Sequence, residues 1–384
     1  MKKSITFIVN HAAFFCSHRL PLALEIKKNG WDFHLIIGEA GSQKMEIEAL
    51  KILKINNISY SKTYFSPQFS INFIKEIFSL FQIIYILIKK KPDIVHLVSP
   101  KAIFLGGVAS HIALIKNKVF AISGLGFFYT GKNNFKKKFL RKMYFFFLDY
   151  FLNDSFSKTI FQNYNDFLEI KKNINIKNEQ NLFFIPGSGV DHNKFKIKNG
   201  LQKKKIILMT TRILIDKGVI EFIKAATILK KKYKSWKFIL VGALDYQSPS
   251  AVNEKLFRKL LNEKSVEWVG YKLDISNYLS QASIFCLPSY REGMSKSLIE
   301  AAMSGLPIVT TNVPGCRDVV VKNITGLLVE PKNHINLAQG IEKLILNTNL
   351  RYLQSKRARI FAKNKFSLFS VVNETMKIYK NFYE

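Results

Sequence analysis

The segment Cys286–Asp318, CLPSYREGMSKSLIEAAMSGLPIVTTNVPGCRD, decides how this chain is read. The apolar run Ile284–Leu287 enters it and stops at Pro288, as a buried strand of a parallel sheet does. Ser297–Ser304 then shows helical spacing, and Ile308–Thr310 reads as the next strand. Strand, loop, helix and strand make the repeating unit of a doubly wound sheet, where ligands bind beyond the carboxyl ends of the strands. Glu292 falls in the loop and Glu300 one to two turns into the helix, eight positions further on. A loop carboxylate can accept hydrogen bonds from sugar hydroxyls while a helical one grips a second diol. The free N–H groups of the helix start near Ser295 suit a phosphate. The plain alternative is that both glutamates are merely solvated.

The same alternation extends outward. In the second half, Ile206–Thr210, Lys237–Val241 and Val266–Val269 read as strands, with a helix over Val219–Lys232. In the first half, Ile5–Val9, Phe33–Ile37, Ile94–Val98, Val119–Ile122 and Phe183–Ile185 read as strands. Leu20–Asn29, stopped by Gly30, and the long amphipathic run Ile71–Lys90 read as helices. The expected fold is α/β, two doubly wound Rossmann-like domains facing across a cleft. Its divisions fall at 1–190, a lysine-rich linker 191–205 containing Gly200, a domain 206–365, and a closing helix 366–384 that packs back on the first domain. Helices at Leu337–Leu346, Leu350–Lys363 and Val371–Tyr383 end the chain.

Two further segments carry chemistry. TTRILIDKG (Thr210–Gly218) joins a strand to a helix, and its Arg212 and Lys217 can converge on a diphosphate at the helix start. In isolation such a pair is ordinary in a basic chain, although arginine is scarce, with 9 Arg against 50 Lys. PGSGVD (Pro186–Asp191) flanks Ser188 with two glycines, which marks the hinge between halves and allows close backbone approach to a ligand. His96 sits at the end of a strand, where site residues gather, and reads equally as a buried hydrogen-bonded histidine. His18, beside Arg19, can meet a phosphate or cap a helix.

Other chemistries find no support. GFFYTGKN (Gly126–Asn133) resembles a phosphate-cradling loop but puts Asn133 where a magnesium-binding hydroxyl is required. No Asp-x-Asp pair occurs, and the seven histidines lack zinc spacing. Cys16, Cys286 and Cys316 lie far apart, which fits a reducing compartment and excludes a disulfide framework. The 384 residues carry a formal charge of +32. The scarcity of arginine weakens a nucleic-acid reading and leaves an anionic membrane surface or anionic small substrates as partners. The apolar runs all fall short of the ~20 residues that cross a bilayer. Lys132–Leu152 mixes lysines with Phe145, Phe146 and Phe147 around a helix, a pattern suited to lying in an anionic interface; the plain alternative is a core-packed helix whose lysines face water.

These segments together resemble the family 4 (group 1) glycosyltransferases of GT-B fold. SYREGMSKSLIEAAMSGLPIVTTNVPGCRD follows the family's EGxxxxxxE pattern, and KKKPDIVHLVSPK (Lys89–Lys101), ISGLGFFYT (Ile122–Thr130) and SHRLPLA (Ser17–Ala23) are similar to the branch that builds bacterial surface polysaccharides and lipid-linked oligosaccharides. The resemblance implies a retaining transferase that moves a hexose or N-acetylhexosamine from a nucleotide sugar, UDP-linked, to a lipid-linked saccharide. Neither metal nor other cofactor is implied, and the enzyme would sit peripherally on the cytoplasmic face of the bacterial inner membrane. Donor contacts would come from Gly189, Arg212, Lys217, Glu292, Gly293, Met294, Ser295 and Glu300, with Glu300 on the ribose diol. Catalytic candidates are Glu292, His96 and Ser123, the last standing where many members carry a histidine. The alternatives are another sugar-nucleotide enzyme of the same fold, such as an epimerase, or a non-catalytic basic protein that binds membrane or nucleic acid.

Overall fold

A computed structural model describes residues 2–39, 43–65, 73–129, 135–195, 204–246 and 248–384. The chain divides into two units, one made of Met1–Ser188 with Phe369–Glu384, the other of Gly189–Leu368. Thr130–Asn133 of the phosphate-loop look-alike and most of the expected linker, including Gly200, lie outside the described residues.

Among the described residues, unit 1 holds seven parallel strands: β1 (Ser4–Val9), β2 (Asp32–Ile37), β3 (Ser59–Lys62), β4 (Ile94–Val98), β5 (Asn117–Ile122), β6 (Ser157–Phe161) and β7 (Leu182–Phe184). They lie in the order β3-β2-β1-β4-β5-β6-β7, so the winding reverses between β1 and β4. The central strands β1, β2 and β4 are buried on both faces, which is why they read as apolar runs rather than alternating ones. Ile8, Val95, Leu97, Phe120 and Ile122 belong to a core shared with helices Phe73–Lys90, Pro100–Ile112 and Phe135–Leu152. Alternate residues turn to the other face, where Phe7 stacks on His96 and meets Phe33. The closing helix Leu368–Lys380 covers that face through Tyr379, whose hydroxyl bonds His96.

Among the described residues, unit 2 holds six parallel strands: β8 (Ile206–Thr210), β9 (Lys237–Val241), β10 (Glu267–Trp268), β11 (Ile284–Leu287), β12 (Ile308–Thr311) and β13 (Gly326–Val329). Their order is β10-β9-β8-β11-β12-β13, so the switch point lies between β8 and β11. Part of the expected linker is built into this unit: Phe195 is core, and Lys204 bonds Gln281. Just before the linker, Val190 donates its amide to Phe366 and accepts from Leu368. The first half also contains elements unseen in the sequence: helices Ala12–His18, Gln43–Ile55 and Tyr164–Lys171, and strands β3 and β6.

Candidate functional site

The loops that follow β8 and β11 meet at the switch point of unit 2. Gly218 has φ +72°, a conformation glycine adopts freely, and it lies against the Pro288 carbonyl. A Cβ there would come within 2.1 Å of that oxygen. Next to it, the Tyr290 amide donates to the Asp216 carbonyl at 2.8 Å. On the other side, the amides of Glu292 and Ser295 donate to the carbonyls of Pro314 and Gly315 at 3.1 and 3.2 Å. Gly315, at φ +76°, would bring a Cβ within 2.4 Å of the Glu292 carbonyl. The strip 288–295 is therefore clamped on both edges, and the glycines permit that approach.

The clamp presents one central ion pair. Lys217 Nζ lies 2.7 Å from both carboxylate oxygens of Glu292, with the two side chains 16% and 13% exposed. The Ser289 hydroxyl donates to Glu292 Oε1 at 2.7 Å. Arg212 turns instead to Asp245, at 2.8 Å. Tyr290 donates its hydroxyl to Glu221 at 2.7 Å. Glu300 is buried in the first turns of helix Lys296–Met303, with Lys296 Nζ 3.4 Å away. Burial pushes its carboxyl above the ordinary range, partly opposed by Lys296 and Lys194.

Measured against the expected donor contacts, the structure joins Lys217 to Glu292 and pairs Arg212 with a different carboxylate, Asp245. One expectation needs correcting. The Ser295 amide is already donated to Gly315, so it is not open to a ligand in this conformation. Gly293 and Met294 remain half-buried in the same loop. Gly189 begins unit 2 at φ +71°. In unit 1, Ser123 is half-buried just past the end of β5. His96 is 1% exposed, stacked on Phe7 and bonded to Tyr379, the packed-histidine alternative. His18 ends helix Ala12–His18 and stacks on Phe14. Sequence reading passed over Asp245, Ser289, Tyr290 and Glu221. Asp245 and Ser289 each follow a strand end, which is the signal that could have marked them.

Two doubly wound parallel sheets on one chain, with a charged cluster at the switch point of the second, define the GT-B class of α/β enzyme. Over 99% of its length the chain superposes on the structure titled Anabaena Alr3699/HepE in complex with UDP and glucose, at TM-score 0.77 and 15% identity, covering 100% of that chain. Residues 190–361 match the family model described as glycosyl transferases group 1, and residues 4–155 match glycosyl transferase 4-like. The chain belongs to the group 1 glycosyltransferases and is a sugar-transferring enzyme. It is 28% identical over 375 residues, 92% of each chain, to a Campylobacter jejuni N,N'-diacetylbacillosaminyl-diphospho-undecaprenol alpha-1,3-N-acetylgalactosaminyltransferase. An Escherichia coli UDP-Gal:alpha-D-GlcNAc-diphosphoundecaprenol alpha-1,3-galactosyltransferase is 26% identical over 337 residues, 83% of each chain.

Proposed function

We propose that this enzyme transfers a hexose or N-acetylhexosamine from a UDP-sugar to a saccharide carried on a lipid diphosphate, with retention of anomeric configuration, in the assembly of a surface polysaccharide or oligosaccharide. The observation that carries the donor half of this reading is the Lys217–Glu292 pair clamped at the switch point. An ammonium has three donors, and two of them are directed at Glu292, so one stays available for a phosphate oxygen. Positive charge from Lys217 and Arg212 would stabilise the departing diphosphate, and no metal is needed for that task. Glu292 would then accept from donor-sugar hydroxyls, and Glu300 from the ribose. The leaving phosphate would take the acceptor proton on the same face, so no separate base is assigned to His96 or Ser123. The acceptor half rests on relatives whose names specify undecaprenyl diphosphate sugars.

The membrane reading rests on unit 1. Among the described residues no helix is long and apolar enough to cross a bilayer. Helix Phe73–Lys90 nevertheless leaves Phe78, Phe81 and Tyr85 at 59%, 63% and 65% exposed, on one face by their spacing. Helix Phe135–Leu152 buries Phe145 but exposes Phe139, Phe146 and Tyr150, with Lys138 and Lys142 exposed beside them. Exposed aromatics among lysines suit a peripheral seat on an anionic cytoplasmic leaflet.

The test is a transfer assay with a panel of nucleotide sugars and undecaprenyl-diphosphate-linked acceptors, run with and without a chelator, with product linkage read by NMR. Transfer from a UDP-sugar with an α-product in chelator supports the proposal. Inverted product, strict metal dependence, or epimerised donor without transfer would each overturn the corresponding part.

A further inference from the structure

Arg19 links helices Ala12–His18 and Leu20–Lys28 in unit 1 and is only 6% exposed. A guanidinium has five donors, but here Nη1 makes one long bond, 3.3 Å to the His18 carbonyl, and Nε has no partner. Among the described residues no carboxylate pairs with it. Arg19 is also the N-cap of the helix Leu20–Lys28, whose positive dipole end adds to its potential instead of relieving it. A buried charge left in this state is strongly unfavourable unless an anion accompanies it.

The surroundings supply the place for one. Arg19, His96, Ser188 and Thr375 line a cavity of about 20 Å³ together with apolar side chains such as Leu22 and Ile160. By volume that admits a single water-sized group. His96 Nε2 is buried without a partner, while Nδ1 lies 2.8 Å from the Tyr379 hydroxyl. When Tyr379 donates to Nδ1, the ring carries its proton on Nε2 and becomes a neutral donor. Burial and the neighbouring Arg19 hold His96 well below its usual range, so it stays neutral at physiological pH. Thr375 spends its hydroxyl proton on the Val371 carbonyl.

We propose that this cavity is a binding site for a small monovalent inorganic anion of halide size, held by Arg19 Nε and His96 Nε2. The anion neutralises Arg19 and ties the closing helix, through Tyr379 and His96, to the sheet of unit 1. A cavity of about 20 Å³ matches a halide better than a phosphoryl group.

The experiment compares thermal unfolding of the full chain in sodium chloride, bromide, gluconate and phosphate at equal ionic strength. In the native protein, chloride and bromide should raise Tm by about 3–6 °C per tenfold concentration above Kd, with gluconate and phosphate giving no such rise. Arg19→Met removes the charge while keeping an apolar filler, and its halide-specific rise should vanish. Bromide soaked into crystals of the native protein gives a second readout that needs no variant, an anomalous peak within hydrogen-bonding distance of Arg19 Nε and His96 Nε2. No peak in the cavity, or a halide rise equal in Arg19→Met and native protein, overturns the assignment. A rise with phosphate that depends on Arg19 overturns the size match and the ligand class.

Discussion

The Lys217–Glu292 pair permits a double-mutant cycle that separates its structural role from its role toward the donor. Both carboxylate oxygens lie 2.7 Å from Nζ, and water reaches only 16% and 13% of the two side chains. Removing one partner of a buried pair costs about 3–5 kcal/mol, and the residual hydration together with the Ser289 bond brings this to about 2–4 kcal/mol. Lys217→Met and Glu292→Gln should each destabilise unit 2 by that amount. The double variant should lose less than their sum, with a coupling of about 1–3 kcal/mol. The two units need not unfold together, so a reporter for unit 2 is required. Trp236 and Trp268 both lie in unit 2, and a Trp31→Phe background leaves them as the only tryptophans. Urea titration of their fluorescence gives the cycle, and calorimetric titration with UDP gives the second measurement. Loss of a charge-assisted contact weakens UDP binding by about 10- to 150-fold in Lys217→Met, and the double variant should not recover it. A coupling near zero refutes the pair, and unchanged UDP affinity refutes its assignment to the donor.

Glu300→Gln should stabilise unit 2 at neutral pH and weaken UDP binding. The carboxyl is raised by burial, so the folded state binds its proton more tightly than the unfolded one. Its contribution therefore favours folding in acid and is lost as pH rises from the ordinary carboxylate value to the raised one. A urea–pH series in which native protein and variant show parallel slopes across that window counts against this. Gly218→Ala pushes a Cβ to 2.1 Å from the Pro288 carbonyl at φ +72°, so it should cost more than about 1 kcal/mol and lower donor affinity; unchanged stability would contradict the clamp. Replacing Phe78, Phe81 and Tyr85 with serine should reduce co-sedimentation with anionic vesicles and leave Tm within a degree or two, whereas unchanged sedimentation would remove that helix from the membrane face. Lys138→Glu with Lys142→Glu should weaken the same binding by at least about 30-fold, an effect that high salt erases.

The central strands were legible because each is buried on both faces and shows as an apolar run: β1, β4, β8, β9 and β11 fall within a residue of expectation. What escaped had no such contrast. β3 is SYSK at an exposed edge, and β6 is SKTIF, polar over half its length. Helix Ala12–His18 is two turns long, too short for periodicity to show. Helix Pro100–Ile112 is buried almost all round and so has no polar face to set its period. At the site, residue type and position past a strand end singled out Glu292 and Lys217, which the structure brings to 2.7 Å. Their mutual pairing did not show, because it depends on how loops 75 positions apart are clamped. Asp245 escaped for the same reason, since the partner of Arg212 lies 33 positions away on the next strand's exit loop.

Unit 2 is a continuous segment, whereas unit 1 is interrupted by it and completed by Phe369–Glu384. On the ribosome, unit 1 must therefore wait for its last helix until all of unit 2 has been synthesised, roughly 10–40 s at ordinary elongation rates. Throughout that wait the sheet face that carries Phe7 and His96 lacks its Tyr379 cover. The nascent first unit is then the aggregation-prone species and the natural client for a chaperone, while the second unit, inserted but unbroken, can finish folding first.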